Sequence, residues 1–161
     1  MGDGYDQIWS AFEASFGFRA GVSPEAWPAI REPTPSVTFG LGDIDEGPHL
    51  AAAWDAINAE ALRCFVSALP EVEELIVLDW QHPAYVFRPA VQAVAGQPEW
   101  AVTVYPNGDY YVFMTPDMAE GTFGHPWEQT LCVFGERLVA TLAVTLATWL
   151  ATVRRDGTPV T

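Results

Sequence analysis

Residues 99–138 read EWAVTVYPNGDYYVFMTPDMAEGTFGHPWEQTLCVFGERL, and the fold of the chain turns on them. The stretch opens with alternation: Trp100, Val102 and Val104 point to one side of an extended segment, Ala101, Thr103 and Tyr105 to the other. Pro106-Asn107-Gly108-Asp109 follows, and Asn-Gly is the pair that most readily takes positive φ at both central positions of a two-residue hairpin turn. The spacing therefore predicts a hairpin whose return strand runs from Asp109 to Met114. In that strand Asp109, Tyr111 and Phe113 share one face and Tyr110, Val112 and Met114 the other, so large side chains leave both sides. Such a hairpin is covered on both faces or keeps one for a partner, which makes Tyr110 and Tyr111 candidate binding residues. Core packing accounts for most of the aromatic residues. Pro116 to Pro126 reads as a loop, Thr130 to Phe134 as a third strand, and Gly135 separates that strand from a helical pattern.

Charge narrows the range of partners. The chain of 161 residues holds 21 acidic residues against 7 basic ones, all arginine, for a net charge of -14. A surface of that sign repels phosphate backbones and anionic lipid, so nucleic acid and membrane surfaces are not expected partners, and a basic protein is. Acidity also serves solubility alone. Half the residues are hydrophobic and 13% aromatic, a globular composition, and the length fits one domain that buries roughly two-thirds of its unfolded surface. Cys64 and Cys132 sit inside apolar runs and read as buried free thiols. The N-terminal MGDGYDQIW has neither a positive region nor a long apolar core, so it does not read as a secretory signal, and the cytoplasm is the expected compartment.

Outward from the central stretch, Tyr5, Ile8, Trp9, Phe12 and Phe16 repeat at helical spacing, predicting a helix from Tyr5 to Phe16. Gly17 to Pro35 contains four prolines and reads as a loop packed down by Phe18, Trp27 and Ile30. Ser36 to Leu41 alternates as a strand. An acidic turn, Asp43 to Glu46, leads to Pro48, which suits a first helical position because it lacks the amide hydrogen unused there. The helix that follows runs to about Leu69, with Leu50, Trp54, Ile57, Ala61, Phe65 and Ala68 as its apolar stripe. Leu75 to Trp80 is a strand apolar but for Asp79, Tyr85 to Phe87 a shorter one, and Ala90 to Pro98 a small-residue loop.

The C-terminal part carries sixteen uncharged residues, Leu138 to Val153, short of the roughly 18 to 20 a membrane helix needs. Read as a helix, it puts leucines on one side and Thr141, Thr145, Thr148 and Thr152 on another. An uncharged face on so acidic a protein marks a candidate contact between copies of the chain, through Thr141, Thr145 and Thr148.

Candidate chemistry is confined to loop corners. Asp79 and His82 lie just past one strand, His125 and Glu128 just before another, and Asp109 at the start of a third. Were those strands neighbours, imidazoles and carboxylates would gather at one edge for acid–base work or a metal. Each histidine is also followed by proline beside a tryptophan, which equally describes a corner where imidazole caps backbone groups. No nucleophile turn, Gly-rich phosphate loop or zinc spacing is present, so the sequence assigns neither a metal nor a cofactor and leaves open whether the chain is an enzyme.

Four phrases, WPAIREPTPSVTF (Trp27 to Phe39), LDWQHPAYVFRP (Leu78 to Pro89), YPNGDYYVFMTPD (Tyr105 to Asp117) and FGHPWEQTLCVFGERL (Phe123 to Leu138), resemble the recurring blocks of a bacterial domain-of-unknown-function family, the 2716 type. That resemblance supports the domain limits. It implies no activity and carries no functional residues.

The expectation is therefore an α+β fold in a single domain, residues 1–161: a twisted antiparallel sheet of about five or six strands carrying two main helices and a short N-terminal one. The expected function is a non-catalytic acidic binding protein, an immunity-type or regulatory partner of a basic protein. Its binding acids would be Asp43, Asp45 and Glu46 in one turn and Glu71, Glu73 and Glu74 in another. The alternative is a small enzyme or ligand-binding domain built on the histidine corners.

Overall fold

Proline and glycine punctuate the chain where its elements begin and end. The computed structural model describes residues 2–42, 48–94 and 102–160, without the side chains of 2–6, 48 and 49. In chain order the elements are α1 (Gly2–Phe16), β1 (Ser36–Gly40), α2 (Pro48–Ala68), β2 (Leu75–Asp79), β3 (Tyr85–Phe87), α3 (Pro89–Ala93), β4 (Tyr111–Met114), β5 (Gly121–His125) and β6 (Thr130–Phe134). After them come α4 (Glu136–Ala140), α5 (Leu142–Leu146), β7 (Ala151–Arg155) and β8 (Thr158–Pro159). The strands form a single antiparallel sheet in the order β3-β2-β4-β5-β6-β1-β7-β8. The fold is α+β, with eight strands among the described residues rather than five or six.

Alternation decides which helix each strand residue meets. Val37, Phe39, Val77, Phe113, Leu131 and Val133 face α2, α4 and α5, where Ile57, Ala61, Phe65, Leu138, Leu142 and Leu146 close the core. Leu78, Tyr110, Val112, Met114, Phe123, Cys132 and Phe134 face the other way, onto Trp9, Phe12 and Phe16 of α1 and onto Phe18, Ala29 and Ile30 of the loop after it. Both faces of β4 are covered, with Phe113 on one and Val112 and Met114 on the other, as the alternation of its residues predicts. Cys64 and Cys132 are buried free thiols. No helix among the described residues is long and apolar enough to cross a membrane.

Several local expectations are corrected. The first is the hairpin at Asn107-Gly108. β4 pairs with β2 and β5, not with residues 102–105. Val102 and Val104 do point inward, but the amides of Val104 and Tyr105 are taken by Asn58 Oδ1 of α2, at 2.9 and 3.4 Å, so this segment docks on a helix side chain instead of a partner strand. Of the Asn-Gly pair only Gly108 has positive φ, and Glu99 to Ala101 lie outside the described residues.

The second is the segment 116–126, read as a loop, which contains β5, an interior strand buried throughout. Its glycines hide it from pattern reading, yet they are what permits it: a Cβ on Gly121 would stand 2.2 Å from the Phe113 carbonyl oxygen and 2.8 Å from the Phe134 ring.

The third is the long C-terminal helix. Thr141 breaks it with φ -122° and ψ -75°, and the chain turns into β7 at Ala151, in keeping with the β-branched residues that crowd this end. Asp156 and Gly157, with φ of 52° and 80°, form the two-residue hairpin loop between β7 and β8. The hydroxyls of Thr141, Thr145 and Thr148 bond carbonyls of their own helical turns, Arg137, Leu142 and Thr145 at 2.7, 3.0 and 2.6 Å. Thr152 leaves for β7, so the row of four threonines expected along one helix is divided between elements. The small-residue loop from Ala90 also begins as helix, α3.

Candidate functional site

One end of the sheet gathers the last residue of β2, the first of β4, the last of β5 and the first of β6. Register pairs Asp79 with Tyr111, Tyr111 with Gly124, and His125 with Thr130. β4 therefore stands between the two corners that the sequence nominates. Asp79, Asp109 and Tyr111 share the parity of Phe113, on the α2 face, whereas His125 shares that of Phe123, on the α1 face. Sequence reasoning places the five candidates at one end of the sheet; the strand order divides them between its two faces.

On the α2 side Asp79, His82 and Asp109 come together, with one ligand-capable atom from each lying within 4.8 Å of the others. Gln81, at φ 68°, turns the chain, and the His82 amide donates back to the Asp79 carbonyl at 2.9 Å. This sets His82 Nδ1 3.3 Å from Asp79 Oδ1 and 3.1 Å from the Trp80 carbonyl. Asp109 precedes β4 and accepts the Tyr110 amide at 2.9 Å. Burial pushes the Asp109 carboxyl up; the Tyr110 amide opposes this and the Asp79 charge adds to it. Burial also raises Tyr111, together with the charges of Asp79 and Asp109, and raises Tyr85 to about 12.

On the α1 side His125 is fully buried, walled by the rings of Tyr110, Trp27 and Phe123 at centroid distances of 4.9, 5.6 and 6.3 Å. Its Nδ1 accepts the Glu128 amide at 3.1 Å, so the neutral ring carries its proton on Nε2, for which no hydrogen-bond acceptor is in place among the described residues. Burial pushes His125 down to about 4, partly opposed by Glu128. Glu128 is clasped by Arg154 and accepts Thr130 Oγ1 at 2.7 Å. These bonds hold its carboxyl low although burial acts to raise it. The imidazole thus caps a loop corner.

The remaining candidates differ among themselves. Tyr110 is fully buried, and its hydroxyl donates to the Gly21 carbonyl at 3.2 Å and accepts the Gly21 amide at 3.0 Å. Glu71 pairs with Arg137 and Glu74 with Arg88, while Glu73 is exposed. Asp43, Asp45 and Glu46 lie outside the described residues.

A surface that sequence reasoning missed lies near β3, one of the two end strands of the sheet among the described residues. Phe65, Val66, Leu69, Pro70, Val72 and Val91 line a groove of about 610 Å³ between α2 and α3, with Glu73 among its walls. Val86, Val91 and Val94 are 53%, 61% and 83% exposed. The spacing of Val91 and Val94 behind Pro89 was the available signal, a short helix presenting valine outward.

The model of the family described as "Protein of unknown function (DUF2716)" matches residues 2–139. The chain is also similar to "Uncharacterized protein YxiI" of Bacillus subtilis (strain 168), 38% identical over 140 residues that cover 83% of this chain and 84% of that one. No solved structure matches.

Proposed function

Since this chain belongs to the DUF2716 family, whose description names no activity, we propose from its own residues that it is a non-catalytic binding protein for a basic protein partner. The observation that carries this reading is the apolar groove near β3. It runs between α2 and α3 with Val91 on its wall, and Val86 and Val94 in the same part of the chain are exposed as well. Exposed apolar patches of this kind often mark interaction sites. Charge selects the partner. Glu73 stands on the groove without an ion-pair partner among the described residues, whereas Arg63, Arg88, Arg137 and Arg154 each meet a carboxylate of this chain, so the surplus acids face outward against a net charge of -14. A basic segment with apolar side chains suits both features.

The test compares wild type with Glu73→Lys and with Val91→Glu. Proteins captured from the source cell by wild type and lost by both variants are identified, and their association rates are measured against salt. Association that slows as salt rises, and slows further in Glu73→Lys, is the expected result. A captured partner whose rate responds neither to salt nor to either substitution removes the reading. The alternative, a small enzyme or ligand-binding domain, draws support from Asp79, His82 and Asp109 alone, because Glu128 is engaged by Arg154 and His125 has no solvent access.

A further inference from the structure

We propose that Asp79, His82 and Asp109 form a binding site for a single divalent transition-metal ion. The donor set comes first: two carboxylates and one imidazole, a combination suited to a borderline ion such as zinc. Spacing comes second. Metal–ligand bonds of about 2.0–2.2 Å put neighbouring donors roughly 3–4 Å apart, and these three already lie within 4.8 Å of one another, so small side-chain rotations close the shell.

The surrounding charge favours the same occupant. Asp79 and Asp109 approach each other half-buried, and among the described residues the two make a single ion pair, that of Asp79 with His82. The chain contains no lysine, and none of the ion pairs among the described residues joins an arginine to Asp79 or Asp109. A dication supplies the positive charge that this pocket of carboxylates lacks.

Access separates this corner from the other. The His82 side chain is 63% exposed, so an ion reaches it without rearrangement and its remaining coordination positions are filled by water. At the opposite corner the imidazole is fully buried and the carboxylate is committed to Arg154, which leaves no donors for a metal. Strand register fixes one carboxylate at the end of β2, the segment leading into β4 fixes the second, and the turn at Gln81 folds the imidazole over the first.

Zinc chloride titrated calorimetrically into the full chain in a non-chelating buffer tests the site. One equivalent is expected to bind, and Asp79→Asn, His82→Ala and Asp109→Asn should each weaken it by at least about tenfold, with circular dichroism showing each variant folded. His49→Ala, remote in sequence, should bind as wild type does. Cobalt gives a second readout: a visible absorption band that His82→Ala abolishes. Absence of saturable one-to-one uptake overturns the proposal. So does uptake that His82→Ala and Asp109→Asn leave unchanged, which would mark adventitious binding to surface acids.

Discussion

Arg154 and Glu128 meet in a two-bond clasp, Nη1 to Oε2 at 2.7 Å and Nη2 to Oε1 at 2.8 Å, and the same guanidinium holds Glu32 through Nε at 2.8 Å and Nη2 at 3.1 Å. One guanidinium thereby serves two carboxylates in a place where the Glu32 side chain is only 2% exposed. Removing the cation strands both. Arg154→Met is expected to lower stability by about 3–5 kcal/mol, read from the urea midpoint. Adding Glu128→Gln should return part of the loss. Arg154→Lys should not restore it fully, because an ammonium cannot reproduce the two-sided fork. A single Arg154→Met variant with an unchanged midpoint would show that the triad contributes nothing to stability.

His125 predicts how stability follows pH. Its folded value of about 4 lies below the roughly 6.5 of an unfolded histidine, so between those values the unfolded chain binds the extra proton. The contribution is therefore whole above about pH 6.5 and lost as pH falls toward 4, by up to about 3 kcal/mol. Denaturation series from neutral pH to pH 4.5 on wild type and His125→Gln should show a shallower loss in the variant. Parallel curves would contradict the buried neutral imidazole.

Two glycines separate steric from conformational demand. Gly108 has φ +90°, and a Cβ there would meet nothing within 4 Å, so Gly108→Ala should cost only about 1 kcal/mol of backbone strain. Gly121→Ala drives a methyl into the Phe113 carbonyl and the Phe134 ring and should cost about 2 kcal/mol or more. The ranking of the two urea midpoints is the measurement, and equal midpoints would contradict the close approach at β5.

Asn58→Ala is expected to leave the buried Val104 amide without its acceptor, at a cost of about 1–3 kcal/mol. Hydrogen exchange at Val104 should accelerate more than exchange in β5. Unchanged protection at Val104 would mean that another group satisfies it.

What can be read in the sequence is whatever a residue's immediate neighbours determine. The stripe Ile57, Ala61, Phe65 and the alternation through Tyr110 to Met114 each point a face inward regardless of what lies opposite, and both are legible. β5 is not, because the worth of Gly121 and Gly124 lies in the atoms that pass close to them, Phe113 and Pro106, from other segments. The end of the chain misleads for a related reason: uncharged threonines and leucines suit helix or strand, and only the pairing of Phe39 with Thr152 and of Gly40 with Ala151 selects strand there. The candidate site is half legible. Asp79, His82 and Asp109 stand out individually, but their meeting, and the separation of His125 and Glu128 from them, follows from the order β2-β4-β5, which no local pattern carries.

The pairing of β1 with β7 also sets a timetable for biosynthesis. β1 and Glu32 leave the ribosome well before the strand that covers this side of β1, Arg154 following Glu32 by 122 residues. A nascent chain halted before Ala151 carries β1 as an open edge with a pair of uncompensated acids beside it, an arrangement prone to mispairing. Completion of the native state is thus expected to await emergence of β7, and arrested chains should remain protease-sensitive until residue 155 has cleared the exit tunnel.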